Sequence, residues 1–146
     1  MTLRHQISIA IALILALGAC ASLDTEPARS ADELVGTSWE LVRIQSMDDR
    51  SWAPDDPSRY TLSFDPDGTA FMRLDCNRGR AAWVSERVGQ LEFSPMVSTR
   101  ALCRDNGLSE RYAMQFEYVR SYVFEDSHLF LATYADGAII EFRPAD

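Results

Sequence analysis

The sequence predicts an α+β domain in which a curled antiparallel sheet of about eight short strands packs against one helix. Short segments of alternating apolar and polar residues recur between turn signals, which is typical of half-buried strands. One stretch late in the chain has helical spacing instead. The chain has 146 residues. After removal of an N-terminal signal, that length leaves room for one domain of modest size.

The N-terminus has the features of a secretory signal peptide. A basic start precedes an apolar run over residues 7–17, and the motif Leu-Gly-Ala-Cys then ends at Cys20. The run is too short for a transmembrane helix, which needs ~20 apolar residues. A cleaved signal without lipid is the alternative interpretation.

The motif that ends at Cys20 resembles the bacterial lipobox. This resemblance implies that the sulfur of Cys20 carries diacylglycerol, that the chain is cut before it, and that the new amine is acylated. Several acyl chains hold a protein firmly on a membrane. Many lipoproteins that stay at the inner membrane have Asp directly after the lipidated cysteine, whereas this chain has Ala21 there. The resemblance therefore implies the outer membrane, with the domain facing the periplasm. We predict a signal at 1–19, a lipidated cysteine and flexible tether at 20–33, and a domain at 34–146.

The charge of the chain limits its partners. The formal net charge is −8, and the segment to be removed contributes Arg4 but no acid, so the mature chain is more acidic still. An acidic surface argues against nucleic acid as a partner and against electrostatic adhesion to anionic lipid. The lipid on Cys20 is therefore the predicted link to the membrane.

The first half of the domain consists of short strands separated by turn residues. Ser30 and Glu33 fit a capping box that begins one helical turn, and Gly36 ends it. An acidic loop with two prolines occupies residues 45–59. Strands are predicted at residues 39–44, 60–64, 69–74, 81–86 and 91–94, with turns at 65–68, 77–80 and 87–90.

The second half contains the one substantial helix. Four apolar side chains at helical spacing predict a helix over residues 106–121, with Asn106 or Ser109 as its N-cap. The four are Leu108, Tyr112, Phe116 and Val119. The last strands are predicted at residues 122–125, 128–133 and 138–142.

Cys76 and Cys103 remain as an even pair in a compartment that the signal indicates is oxidising, which predicts a disulfide. Closing a loop of about 27 residues would stabilise the fold by roughly 3–4 kcal/mol in the chain-entropy model. Two buried free thiols are the alternative. A metal site is less favoured, because these cysteines and His128 lack the close spacing of zinc ligands.

The two cysteines belong to short motifs that occur in a fixed order. The motifs are Asp75-Cys76-Asn77-Arg78-Gly79, a strand ending in Trp83, and Thr99-Arg100-Ala101-Leu102-Cys103 before the helix. In this order and spacing they resemble the META/HslJ domain family, which has a Gly-Cys-Asn signal and a Thr-x-x-x-Cys signal. The resemblance spans residues 34–142, and Asp75 stands where the family usually has glycine.

The resemblance implies an α+β fold built on a strongly curved antiparallel sheet that a helix closes on one side. It implies envelope lipoproteins of bacteria, some tied to heat shock or envelope stress, and relatives linked to secretion or motility. No enzymatic activity is established for the family as a whole. No activated nucleophile, acid–base pair or metal set can be assembled from the residues either. We therefore predict a protein that is not an enzyme and has no catalytic residues, metal or cofactor.

A candidate docking patch surrounds the cysteines. Arg78, Arg80, Arg100 and Arg104 all lie within four residues of a cysteine in an otherwise acidic chain. A disulfide would bring their guanidinium groups, which suit carboxylates and phosphates, into one neighbourhood. The alternative is a set of surface ion pairs with nearby acids. Trp52 is either an exposed interface anchor or a side chain that folds back over the open end of the sheet.

These observations predict a non-catalytic outer-membrane lipoprotein that contacts an envelope protein in envelope maintenance, stress tolerance or secretion. The alternative is a periplasmic binding module that holds a small apolar or anionic ligand. A dry apolar cavity would favour the binding module. An exposed patch around Trp52 or the arginines would favour protein contact.

Overall fold

The computed structural model describes residues 31–146, so the predicted signal, Cys20 and most of the tether lie outside the described residues. The described chain begins with a 3₁₀ turn at Ala31–Glu33, in agreement with the predicted helical turn. Gly36 follows it with a φ of 74°, a left-handed conformation that glycine adopts freely. No helix within residues 31–146 is long and apolar enough to cross a membrane.

Residues 31–146 contain ten strands in one antiparallel sheet. The strands are β1 (Ser38–Ser46), β2 (Ser51–Trp52), β3 (Tyr60–Phe64), β4 (Thr69–Leu74), β5 (Asn77–Val84), β6 (Glu92–Phe93), β7 (Val97–Ser98), β8 (Val119–Glu125), β9 (His128–Thr133) and β10 (Ala138–Pro144). Eight of them follow the order β6-β5-β4-β3-β1-β10-β9-β8. This confirms the predicted sheet, whereas the two-residue strands β2 and β7, which pair with β1 and β5, were not predicted.

The sheet curls until its two ends nearly meet. The Leu91 N–H, just before β6, donates to the Arg120 carbonyl at 3.2 Å, and the Tyr122 N–H of β8 donates to the Gly89 carbonyl at 2.9 Å. These bonds satisfy backbone groups that an open sheet would leave unpaired. The interior therefore becomes the apolar side of a nearly closed sheet.

Side chains from the sheet and the helix fill this interior. β3 buries Tyr60, Leu62 and Phe64 in strict alternation with less buried residues, as its sequence pattern predicts. Tyr112 and Phe116 approach each other edge-on, with ring centroids 5.0 Å apart. Such a ring pair adds about 0.5–1.5 kcal/mol beyond the area that it buries. The buried residues form one apolar core.

The helix is shorter than predicted. α1 spans Leu108–Gln115, a 3₁₀ turn follows at Phe116–Tyr118, and Val119 already belongs to β8. The prediction of a helix through residue 121 was wrong because Val119 is buried in the same core as the helix face, but from an extended backbone. Apolar spacing alone does not distinguish these two cases.

The N-cap of α1 also differs from the prediction. Gly107 occupies the cap position with a φ of 81°. The carboxylate of Asp105 accepts the backbone N–H groups of Gly107 and Ser109. Asp105 therefore provides the N-terminal cap that was predicted for Asn106 or Ser109. The left-handed backbone of Gly107 allows the Asp105 carboxylate to reach the first turn of the helix.

The predicted turn at residues 77–80 is wrong, because the chain there is already part of β5. The reversal is made one step earlier, where Leu74 of β4 pairs with Asn77. Asp75 lies in this reversal with a φ of 59°. This is a conformation that glycine adopts without strain. The backbone therefore gives a physical reason for the glycine that META-like sequences usually carry at this position.

Candidate functional site

A disulfide joins the β4–β5 reversal to the segment before α1. Cys76 and Cys103 are bonded, with their Cα atoms 5.7 Å apart, which confirms the predicted pair. Residues 98–103, here called the pinned loop, run from β7 to this disulfide. The bond therefore fixes one end of the pinned loop beside β5.

Asn77 fixes the middle of the pinned loop. Its Nδ2 donates to the Ala101 carbonyl at 2.8 Å, and its Oδ1 accepts the Ala101 N–H at 2.7 Å. The same Oδ1 accepts the Thr99 hydroxyl at 2.8 Å. Nδ2 also lies 3.2 Å from the sulfur of Cys103. A buried amide with both ends paired is a strong local restraint.

The sequence did not predict that Asn77 holds the pinned loop, since we interpreted Asn77 as a turn residue. The signal was present in the order of the two motifs. The Asn that follows Cys76 and the Thr that begins the second motif are hydrogen-bonded to each other. The two motifs are therefore two sides of one local arrangement.

The pinned loop presents a large apolar side chain to solvent. Leu102 is 99% exposed, although its neighbours Ala101 and Cys103 are held by Asn77 and the disulfide. A groove of about 610 Å³ lies between this loop and α1, and we call it the loop–helix groove. Its lining includes the apolar Leu102, Ala113 and Met114 and the charged Arg100 and Glu110.

A second cleft, of about 330 Å³, contains Trp52 and is here called the Trp52 cleft. Trp52 pairs with Ile44 of β1 and packs half-buried against the core, so it is folded back onto the sheet. The guanidinium of Arg111 lies 3.9 Å from the centre of the Trp52 ring, and that of Arg50 lies 5.7 Å from it. Both are cation–π contacts.

Asp105 lines both clefts and connects them to the core. Its Oδ2 accepts the hydroxyl of Tyr60 at 3.1 Å as well as the Ser109 N–H, and its Oδ1 accepts the Gly107 N–H at 3.1 Å. Burial opposes the charged form, but these hydrogen bonds outweigh it and hold the pKa of Asp105 below its usual value. Burial and the bond to Asp105 raise the pKa of the Tyr60 hydroxyl.

The four arginines of the predicted patch are distributed over several surfaces. Arg104 lines the Trp52 cleft and Arg100 lines the loop–helix groove. Arg78 and Arg80 are exposed on β5 and line neither cleft. None of the four forms an ion pair within residues 31–146, so the alternative of pairing with nearby acids is not realised there.

Asp75 is a buried acid next to the disulfide. Its Oδ1 contacts the guanidinium of Arg59, and no hydrogen bond from residues 31–146 reaches its Oδ2. Its carboxylate and the sulfurs of Cys76 and Cys103 lie within 4.8 Å of one another. Because the sulfurs are bonded to each other and are not thiolates, this group is not a metal-ligand set in the oxidised protein.

His128 is partly buried at the start of β9. Its Nδ1 lies 2.8 Å from a carboxylate oxygen of Glu141, which also pairs with Arg43 at 2.8 Å. No hydrogen bond within the described part of the chain joins His128 to a serine, threonine or cysteine. The histidine is therefore hydrogen-bonded to a carboxylate that also pairs with an arginine on the sheet.

A nearly closed antiparallel sheet, one helix and a disulfide that pins the segment before that helix define a small α+β domain. The META domain family model matches residues 32–146. The chain belongs to the META domain family, which confirms the resemblance found in its cysteine motifs.

Solved structures support the fold. An NMR structure of a protein from Burkholderia xenovorans is similar with a TM-score of 0.67 and 19% identity, covering 99% of both chains. A crystal structure of a DUF4847 family protein from Bacteroides vulgatus ATCC 8482 is similar with a TM-score of 0.58 and 13% identity, covering 78% of this chain and 96% of that one. Likeness at these identities shows the fold alone. The search of curated proteins found no match.

Proposed function

We propose that this protein is a non-catalytic lipoprotein of the bacterial outer membrane, anchored through Cys20, whose META domain binds another envelope protein at the loop–helix groove. The observation that carries the proposal is Leu102, which is 99% exposed on a loop that is nevertheless fixed on both sides. The function of the contact would be envelope maintenance, stress tolerance or secretion. The signal and lipidation motifs support the location.

The fixed position of Leu102 favours binding energetically. A side chain on a flexible loop loses conformational entropy when a partner orders it, whereas a loop held in advance avoids most of that loss. The disulfide and Asn77 provide this restraint before any partner arrives. An apolar centre with a charged rim is also the usual arrangement of a protein interface.

The groove indicates what kind of segment it accepts. Leu102 and Met114, which is 55% exposed, offer apolar contact. Arg100 has no carboxylate within 4 Å in residues 31–146 and is free to pair with a partner. We infer a partner segment with an apolar side chain between Leu102 and Met114 and an acidic side chain against Arg100.

Affinity purification of the lipidated protein from its own envelope, followed by mass spectrometry, tests the proposal. Wild type is compared with Leu102→Asp and with a matched control, Val123→Asp. Val123 is 54% exposed on β8 and lines neither cleft. A charge at the centre of an apolar contact should reduce recovery of a stoichiometric partner by about tenfold or more, which corresponds to ~1.4 kcal/mol. The control should recover it fully.

Two results would contradict the proposal. Equal recovery of the partner with all three proteins would show that the groove is not the contact surface. Recovery of a small molecule without any protein partner would favour the binding module instead.

A further inference from the structure

We propose that the Trp52 cleft binds the phosphate or carboxylate group of a small anionic molecule, held by Arg104 and Arg111. This site differs from the loop–helix groove and does not depend on the docking proposal. The two sites meet only at Asp105, which lines both.

Arg111 is the first reason for the assignment. It is half-buried and stacked on the Trp52 ring, with its guanidinium 3.9 Å from the ring centre. Within residues 31–146 no carboxylate lies within 4 Å of it, and its side chain donates no hydrogen bond. A guanidinium has five N–H donors and loses hydration when it is partly buried. An oxyanion in the cleft would satisfy those donors.

Two further arginines line the same cleft: Arg59, which pairs with Asp75, and Arg104, which has no ion-pair partner in the described chain. Three carboxylates also line the cleft, but none of them lies within 4 Å of the guanidinium of Arg104 or Arg111. Asp56 accepts the N–H of Ser58 at 3.1 Å and its hydroxyl at 2.7 Å, and Asp105 accepts Tyr60 and the first turn of α1. Asp55 is exposed and has no such bond among residues 31–146. Local acids therefore leave both guanidinium groups available.

The size and walls of the cleft limit the ligand. A volume of about 330 Å³ lies at the lower end of the range of small-molecule pockets, so the cleft suits a small molecule and not a folded domain. Arginine forks bind phosphate and carboxylate with the same bidentate geometry, so the cleft selects an oxyanion and does not by itself distinguish the two. The Trp52 ring supplies an apolar wall for the remainder of the molecule.

NMR of the mature lipidated protein in neutral detergent tests this site through the indole N–H signal of Trp52, which Trp52→Phe assigns. The titrants are inorganic phosphate, glycerol phosphate as a lipid headgroup fragment, and succinate, all at constant ionic strength with chloride as the reference. The proposal predicts a saturable shift of the Trp52 signal with at least one of them. The tightest titrant identifies the source of the oxyanion.

Two variants and two controls locate the binding. Arg111→Gln and Arg104→Gln should each weaken the titration about tenfold or more, as expected when a charge-assisted contact is lost. Arg87→Gln should leave it unchanged, because Arg87 is exposed and lines neither cleft. Leu102→Asp should also leave it unchanged, which separates this result from the docking test. No saturable shift, or equal shifts in all the arginine variants, would overturn the assignment.

Discussion

Asn77 combines four polar contacts in one buried side chain, which makes it the sharpest single-residue test of the pinned loop. Replacing it with alanine leaves the Ala101 N–H, the Ala101 carbonyl and the Thr99 hydroxyl without their partner. We expect Asn77→Ala to lower the free energy of unfolding by about 2–4 kcal/mol in urea. Thr99→Val removes one donor to the amide and the acceptor of the Arg78 N–H, and it should cost about 1–2 kcal/mol. An Asn77→Ala protein as stable as Thr99→Val would contradict this account of the loop.

Asp105 makes stability depend on pH. Its pKa is lower in the folded protein than in the unfolded chain, so its ionisation stabilises the fold above an unfolded pKa of ~3.9. That contribution is lost as the pH falls through the lower folded pKa. We expect Asp105→Asn to be less stable than wild type at neutral pH, and the gap to narrow as the pH falls below about 4. Urea unfolding of both proteins, at neutral pH and below about pH 4, measures this difference in the free energy of unfolding. A difference that stays constant would count against an ionised Asp105.

At the scale of elements, α1 depends on Tyr112 to hold it against the sheet. Tyr112 is fully buried, its hydroxyl donates to the Thr61 carbonyl of β3 at 3.1 Å, and its ring packs on Phe116. Tyr112→Ala should lower the free energy of unfolding by about 3–5 kcal/mol through the cavity it leaves. Tyr112→Phe should cost about 1 kcal/mol, because only the hydrogen bond is lost. Equal losses in the two variants would show that the hydrogen bond, and not the packing, holds the helix.

The elements that the sequence predicted correctly are those whose pattern is local. The alternation in residues 60–64 and the turn residues after it specify the β3–β4 hairpin without reference to the rest of the chain. The boundary between α1 and β8 was missed because Val119 satisfies the apolar pattern of either element. The reversal at Asp75 was missed because an aspartate adopts the left-handed backbone there. A glycine at this position would have indicated a turn.

The candidate sites were predictable only in part, for the same reason. The cysteine count was enough to predict the Cys76–Cys103 bond. The loop–helix groove depends on how Asn77 holds the pinned loop. The Trp52 cleft depends on the stacking of Arg111 on Trp52, and no local sequence pattern indicates that contact because the two residues are 59 positions apart. The contact between Trp52 and Arg111 follows from the way the nearly closed sheet brings distant segments together, and no short motif predicts it.

At the scale of the whole molecule, the proposed anchor determines where the domain acts. The chain has a formal charge of −8, which does not favour adhesion to anionic lipid, and the described part has no helix that could cross a membrane. If Cys20 is the proposed lipid anchor, Cys20→Ser should move the protein out of the membrane fraction, because the variant would lose the acyl chains that hold it there. Density-gradient fractionation of cell envelopes measures this.

A matched variant tests the sorting rule implied by the lipobox resemblance. Ala21→Asp keeps Cys20 and therefore the proposed anchor, so under this proposal the protein should remain membrane-bound but collect with the inner membrane. A Cys20→Ser protein that still sediments with membranes would contradict the anchor. An Ala21→Asp protein that stays in the outer-membrane fraction would contradict the sorting rule.

Site-specific photo-crosslinking in living cells of the source organism is the sharpest test of docking at the loop–helix groove. A benzophenone amino acid is placed at position 102, and a matched protein carries it at position 123 on β8. If the partner docks at the loop–helix groove, we expect one specific envelope protein to crosslink from position 102 and not from position 123. It also predicts that Arg100→Glu weakens this adduct, because the acidic side chain of the partner segment would then be repelled. Absence of a specific adduct at 102, or the same adduct from both positions, would contradict docking at the loop–helix groove.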